Sequence, residues 1–167
     1  MMFVAATAML FAACGKDEDD KTPVEAAANT VVYDGVAYEG ESIVSTNGNL
    51  VTFSLMGENY LHVDGDVEIP NGSSKTLDLT RHDPSFTLMF HLGIGEGILD
   101  LQYQNYPQNY WCFLDGVNMP NESAFRSGTA TCTIEDGQVT VTLSGVLING
   151  KALSYKIVGT DSSADPR

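Results

Sequence analysis

The chain has 167 residues, 22 acidic and 8 basic side chains, a formal net charge of −14 and 43% hydrophobic residues. This hydrophobic content excludes a disordered acidic polymer, and the length allows one domain with a buried core. The charge argues against a nucleic-acid partner, because phosphate contacts need a basic protein face.

The first residues predict a secretion signal. Residues 1–13 (MMFVAATAMLFAA) are uncharged and are followed directly by Cys14. They are too few to span a bilayer, which takes about 20 residues, but a short apolar run ending in small residues is typical of a signal peptide. Leu10–Cys14 (LFAAC) resembles the lipobox of bacterial lipoproteins, although no basic residue precedes it. The resemblance implies that Cys14 is lipidated, becomes the mature N-terminus and anchors the protein in a membrane.

An acidic, disordered tether is expected over residues 14–28. Residues 16–23 (KDEDDKTP) are charged and have no apolar periodicity, so they cannot bury enough surface to fold. At ~3.3–3.6 Å per residue, residues 15–28 would reach roughly 45–50 Å. The acidic cluster resembles the surface-export signal of Bacteroidetes-type lipoproteins, and a plain solvated linker is the alternative. We therefore expect a lipid-anchored outer-membrane protein that is exposed at the cell surface.

Residues 29–160 predict a single all-β domain. Apolar and polar residues alternate with period two in four segments, at residues 51–55, 86–92, 129–134 and 138–143. Turn signals such as Asn-Gly and Asp-Gly separate the segments, and no helical repeat lies between them. The expected fold is an antiparallel β-sandwich of about 9–11 short strands, with an up-and-down calycin-like barrel as the alternative. Residues 161–167 are expected to form a disordered tail.

The last hairpin predicts an irregular strand. A two-residue turn at Asn149 and Gly150 pairs Val146 with Leu153. Apolar residues occupy odd positions before Gly145 and even positions after it. A β-bulge or sharp bend at Gly145 would restore the phase, so we expect one there.

Several segments resemble a known group of proteins. These are residues 33–38 (YDGVAY), 127–131 (SGTAT), 137–141 (GQVTV) and 149–151 (NGK), followed by Gly159. Together with the signal they resemble small, largely uncharacterised Bacteroidetes surface lipoproteins, whose domains open with a Tyr-Asp-Gly-x-x-Tyr hairpin and close with a three-strand meander. The resemblance implies a cell-envelope β domain with no assigned chemistry. It does not extend to the middle of the chain.

Two of the three cysteines are candidates for a disulfide. With Cys14 assigned to the lipid, Cys112 and Cys132 remain in an exported domain. If residues 110–114 pair with residues 130–134, Cys112 faces Cys132 on the apolar side of the strands. The alternative is two free thiols that act as small buried hydrophobes.

An aromatic and amide-rich segment is the main candidate for ligand binding. Residues 102–111 (QYQNYPQNYW) hold three tyrosines, the only tryptophan and five amides. Flat amphipathic rings beside amides suit a glycan or a protein partner. The candidates are Tyr103, Asn105, Tyr106, Asn109, Tyr110 and Trp111. Tyr106 and Trp111 would stack, whereas Asn105 and Asn109 would form hydrogen bonds. Alternatively, Tyr103 and Trp111 alternate into the core.

The remaining candidates for chemistry are weak. His62, Asp64 and Asp66 share a strand face and are possible metal ligands, and Glu68 would extend the set toward calcium, but the spacing fits no known motif. We therefore expect no cofactor. Residues 82–84 (HDP) predict a turn, and residues 93–97 (GIGEG) predict a hairpin loop rather than a phosphate site.

The expected function is binding rather than catalysis, since no residue pattern singles out a catalytic group. We expect a lipid-anchored envelope protein whose β domain binds a glycan or a partner protein. One alternative is a structural or assembly subunit, which predicts a long unpaired edge strand or a broad apolar patch. A small polysaccharide hydrolase would need two acids in a cleft, and a barrel with an apolar interior would favour small hydrophobic ligands.

Overall fold

The computed structural model describes residues 22–70, 73–106, 109–120 and 122–162. These ranges contain twelve β-strands and no α-helix, so no helix there has the length and apolarity to cross a membrane. The strands are β1 (Thr30–Tyr33), β2 (Val36–Asn47), β3 (Leu50–Gly57), β4 (His62–Glu68), β5 (Ser74–Asp78), β6 (Phe86–Ile94), β7 (Gly97–Tyr106), β8 (Asn109–Leu114), β9 (Val117–Pro120), β10 (Phe125–Glu135), β11 (Gln138–Leu147) and β12 (Ala152–Thr160).

All twelve strands belong to a single curled antiparallel sheet in the order β5-β10-β11-β12-β1-β2-β3-β4-β6-β7-β8-β9. The predicted all-β fold is confirmed. There are more strands than expected, and the sheet forms a curled half-barrel, which is closer to the barrel alternative than to the two packed sheets of a sandwich. The ladder is continuous because the 12-residue strand β2 pairs first with β1 and then with β3.

Strand β2 changes its pairing partner from β1 to β3 at a pair of glycines. Gly40 faces Gly57 on β3, and the amide of Gly40 donates a hydrogen bond to the carbonyl oxygen of Asn29 at 3.0 Å. A Cβ atom on Gly57 would lie 2.3 Å from the carbonyl oxygen of Glu39. Only residues without side chains allow the two strands to approach so closely.

The core lies on the concave face of the curl. The predicted alternation is confirmed on β3, β6, β10 and β11, whose buried side chains include Val51, Phe53, Leu55, Phe86, Leu88, Phe90, Leu92, Ala130, Cys132, Val139, Val141 and Leu143. The rings of Phe53 on β3 and Tyr155 on β12 lie 6.4 Å apart between centroids. Strands β1 and β2 lie between these two strands in the sheet order, so the contact shows that the sheet curls over its apolar face.

The predicted irregularity at Gly145 is wrong. Gly145 pairs regularly with Gly128 and Leu153, and the register shift lies on the neighbouring strand, between Phe125 and Ser127.

The loop after β11 explains this register. The amide of Gly150 donates to the carbonyl oxygen of Leu147, and the φ of Gly150 is 80°. The loop therefore has three residues rather than two, and Val146 pairs with Ala152 rather than Leu153. Odd positions consequently stay inward through Leu147, which is buried, and no change of phase is needed.

The predicted pairing between the two cysteine-bearing strands is also wrong. Cys132 on β10 lies opposite Val141 and Lys75, whereas the strand that holds Cys112 pairs with β7 and β9. Cys132 is a free thiol, and burial raises its pKa to about 11. The side chain of Cys112 lies outside the described residues.

The folded domain extends at both ends beyond the predicted bounds, residues 29–160. Ser154 donates a hydrogen bond to the carbonyl oxygen of Val24, and Ala26 is buried. At the other end, Asp161 accepts a hydrogen bond from the amide of Thr46 at 3.1 Å. The chain is therefore packed from about Val24 to Asp161. The predictions for residues 1–21 and 163–167, including Cys14, concern residues outside the described part of the chain.

We expect Gly145→Ala to destabilise the fold. A Cβ atom at this position would lie 2.7 Å from the carbonyl oxygen of Ser127 and 2.8 Å from a ring carbon of Phe125. The free energy of unfolding should fall by about 1–3 kcal/mol in urea titrations. Gly97→Ala is the matched control, because its Cβ would be 3.8 Å from the nearest atom. Equal stabilities of the two variants would contradict the packing of Phe125 on β11.

Candidate functional site

A row of four side chains crosses the convex face of the sheet. Met56, His62, His91 and Asp100 are successive cross-strand partners on β3, β4, β6 and β7. Their neighbours along each strand, such as Leu55, are buried in the core, so strand alternation directs the row outward. Residues that are distant in sequence are thereby brought side by side.

Each histidine in the row contacts a carboxylate. Nε2 of His62 lies 2.5 Å from Oδ2 of Asp64, and Nε2 of His91 lies 3.1 Å from Oδ1 of Asp100. The four side chains are 30–39% exposed, and the two imidazole centroids are 6.3 Å apart. The row therefore offers hydrogen-bonding groups that a ligand can reach from solvent.

The turn before β9 holds Asp100 in place. The amide of Asp100 donates to Oδ1 of Asp115 at 3.2 Å, and the amide of Asp115 donates to the carbonyl oxygen of Asp100 at 2.9 Å. Gln102 donates to Oδ1 of Asp100 at 3.2 Å. These contacts fix both the backbone and the carboxylate of Asp100.

Tyr60 projects from a strained turn beside the row. The amide of Leu61 donates to the carbonyl oxygen of Glu58 at 3.1 Å, and Asn59 and Tyr60 between them have φ values of 57° and 55°. Positive φ at both central positions is the pattern of a type I′ turn, which favours Asn-Gly. Apart from Tyr60, every described non-glycine residue with positive φ is Asn or Asp. The tyrosine thus occupies a position where its side chain has a conformational cost, and it is 78% exposed.

The turn is docked on β6 at a glycine. The amide of Gly93 donates to the carbonyl oxygen of Asn59 at 2.6 Å. A Cβ atom on Gly93 would lie 2.8 Å from that oxygen and 3.1 Å from Cδ2 of Tyr60. The predicted hairpin at residues 93–97 is present, but only Gly95 and Glu96 form its turn. Gly93 lies in β6 and supports the turn that presents Tyr60.

These residues line an open groove of about 610 Å³, which we call the Tyr60 groove. Its lining consists of Met56, Tyr60, His62, His91, Ile98 and Asp100. Met56 and Ile98 are 51% and 57% exposed, so apolar side chains flank the polar row. A second cavity of about 330 Å³ shares Ile98 and Asp100 with the groove and extends it toward Asp115.

The structure contradicts one of the ligand-binding residues predicted in the aromatic segment, residues 102–111. Tyr103 is buried, donates a hydrogen bond to the carbonyl oxygen of Arg81 at 2.6 Å and packs on Phe86, so its prediction as a ligand-binding residue is wrong. The backbones of Asn105, Tyr106, Asn109, Tyr110 and Trp111 form the end of the β7–β8 hairpin, but their side chains lie outside the described residues. Along the strand direction, the end of this hairpin lies at one end of β7, whereas the Tyr60 turn lies near the other end.

The weak metal candidates do not form one cluster. Asp66 contacts Thr52 and Thr87 at 2.8 and 3.3 Å, whereas Asp64 contacts His62. Among the described residues no group of three or more His, Cys, Asp or Glu side chains is arranged to hold a metal ion. Glu68, the further candidate for calcium, is an exposed residue at the end of β4.

The predicted turn at residues 82–84 is confirmed. Asp83 accepts a hydrogen bond from the amide of Ser85 at 2.9 Å, and its carbonyl oxygen accepts one from the amide of Phe86 at 3.2 Å. Burial opposes ionisation of Asp83, but Ser85 and the ammonium group of Lys75 outweigh it and lower the pKa. This aspartate therefore has a structural role in the turn.

Sequence reasoning missed the partners of His62 in the groove. His91 and Asp100 are far from His62 in the sequence, and only the strand register places them beside it. The sequence did contain one feature shared by the segments that form the groove, since residues 36–68 and 86–120 contain no lysine or arginine.

Comparisons with protein-family models, curated proteins and solved structures gave no match. The proposed resemblance to Bacteroidetes surface lipoproteins therefore stays a prediction, and the function has to be argued from the site.

We expect Tyr60→Gly to stabilise the domain. Glycine adopts positive φ without steric cost, so the free energy of unfolding should rise by about 0.5–1 kcal/mol. Tyr60→Ala is the control, because alanine keeps the strained backbone and removes the same ring. Chemical denaturation of both variants tests this, and a loss of stability in Tyr60→Gly would show that the ring itself supports the fold.

Proposed function

We propose that this chain is a lipid-anchored cell-envelope protein whose β domain binds a glycan in the Tyr60 groove. One observation carries the proposal: an exposed aromatic ring is held in a strained turn above a row of paired imidazoles and carboxylates. Residues in sparsely populated backbone regions cluster at functional sites, where the surrounding structure maintains them.

The chemistry of the groove suits a sugar. A sugar ring has apolar C–H faces and a rim of hydroxyl groups. Tyr60, Met56 and Ile98 provide flat or apolar surface, whereas His62, His91 and Asp100 provide hydrogen-bond donors and acceptors. The site is open at the surface, so a residue of a long polymer could enter it from the side.

The anchor is supported by the sequence. The segment LFAAC places Cys14 at the position that is lipidated in bacterial lipoproteins, and acidic residues follow it. Since the chain is packed from about Val24, residues 15–23 would form the tether and reach roughly 30 Å. This is shorter than the tether expected from the sequence, and it would hold the domain close to the membrane surface, in our proposal at the outside of the outer membrane.

The rival functions have less support in the structure. The assembly hypothesis predicts a long unpaired edge or a broad apolar patch. The described strands do not provide such an edge, because the edge strands β5 and β9 have only five and four residues. Binding of small hydrophobic ligands needs an empty apolar interior, whereas Phe53 and Tyr155 meet there. The hydrolase hypothesis needs two acids that converge across a cleft, whereas Asp64 and Asp100 each contact a separate histidine.

Glycan binding should depend on the groove. We expect full-length protein, purified in a detergent without a sugar headgroup, to bind members of a glycan array. Tyr60→Ala and Ile98→Ala should weaken binding by about tenfold or more, equivalent to about 1.4 kcal/mol. Ile148→Ala is the matched control, because Ile148 is another exposed isoleucine, in the turn between β11 and β12.

Two further variants separate the groove from the aromatic segment predicted from sequence. If folded Tyr106→Ala or Trp111→Ala loses binding while Tyr60→Ala retains it, the site lies on the β7–β8 hairpin and the groove proposal is wrong. No binding by the wild type across a broad array would reject glycan recognition.

Lipidation should occur at Cys14 alone. In a bacterial host that processes lipoproteins, we expect the chain to incorporate a labelled fatty acid and to sediment with membranes. Cys14→Ala should lose both properties, whereas the control Cys112→Ala should keep them. Retention of the label in Cys14→Ala would contradict the proposed anchor.

A further inference from the structure

The charges of the domain are unevenly distributed over the sheet. The Tyr60 groove lies on β3, β4, β6 and β7, which belong to a run of seven adjacent strands, β2, β3, β4, β6, β7, β8 and β9. The segments that contain them, residues 36–68 and 86–120, hold six and three acidic residues, and they hold no lysine or arginine. A ligand in the groove therefore meets an acidic surface.

The basic residues of the described chain all belong to the other part of the sheet or its loops: Lys75, Arg81, Arg126, Lys151 and Lys156. Three of them are paired locally with aspartates. Lys151 lies 2.6 Å from Asp34, Lys75 lies 3.5 Å from Asp83, and Arg81 lies 3.7 Å from Asp78. The acidic charge around the groove is not offset by these side chains.

The carboxylate of Asp100 lines the groove and is partly open to a ligand. Oδ1 of Asp100 contacts both His91 and Gln102, at 3.1 and 3.2 Å. Both contacts are made by the same oxygen, and the side chain is 30% exposed. The nearby ring of Tyr60 presents a π face, which also attracts cations.

We propose that the groove selects glycans that contain a free amino sugar, with the ammonium group at Asp100 and the sugar ring on Tyr60. This inference rests on the proposed glycan-binding function and names the substrate class. The charge complementarity is specific in sign, because glycans with uronic acid or sulfate groups would be repelled by the same carboxylates.

The test uses two probes that differ only at the nitrogen. A trisaccharide of glucosamine and its fully N-acetylated counterpart are titrated into the full-length protein in detergent at about pH 6.5, below the ordinary α-amino pKa of about 7.7. We expect the amine form to bind about tenfold tighter, with the difference shrinking as salt is added. Asp100→Asn should remove the difference, whereas Asp66→Asn, which changes the net charge equally at a carboxylate held by Thr52 and Thr87, should keep it.

Three results would overturn the inference while leaving the proposed function standing, provided that Tyr60→Ala weakens glycan binding as expected. The first is equal affinity for the two trisaccharides, and the second is an equal effect of Asp100→Asn and Asp66→Asn on the difference in affinity. The third is binding of tetralysine as tight as that of the amine trisaccharide, which would indicate general charge attraction. If neither trisaccharide nor any other glycan binds, the proposed function fails together with the inference.

Discussion

Burial of one face of a continuous sheet determines the register on which the rest of this structure depends. On β3, β4 and β6, the buried residues Leu55, Val63 and Phe90 are aligned as cross-strand partners. A slip of one residue in any of these strands would expose its apolar side chains, so the register is strongly specified. The outward row that includes His62 and His91 is therefore aligned by the core beneath it.

The turn that presents Tyr60 is likewise maintained by the structure around it. A tyrosine at positive φ is unfavourable by itself, and it persists because neighbouring contacts leave the turn no alternative. The hydrogen bond from Gly93 and the absence of a side chain on that residue allow the turn to lie against β6. The turn that carries the aromatic ring is thus held against a strand, which reduces the entropic cost of binding a ligand.

Local features of the fold were predictable, and long-range ones were not. Alternation on β6 and β11 correctly identified the buried face, because the side-chain period of a strand is a local property. Alternation is silent about which strands are neighbours, and the pairing proposed for the strands of Cys112 and Cys132 failed for that reason. The error at Gly145 was of the same kind, since a three-residue turn preserves the phase that a two-residue turn would break.

The candidate site was also only partly predictable from the sequence, and the structure in addition shows on which side of the domain the site lies. His62 and Asp64 stood out in the sequence, but their neighbours His91 and Asp100 emerged only from the register. Tyr103, which stood out equally, lies in the core. Because Phe53 on β3 and Tyr155 on β12 meet inside the curl, the convex faces of these two strands point away from each other. The N-terminal segment packs on the convex face of β12 through Ser154. Under the proposed anchoring, the tether therefore leaves the domain on one side and the Tyr60 groove opens on the other, so attachment to a membrane and access of a glycan do not compete for the same surface.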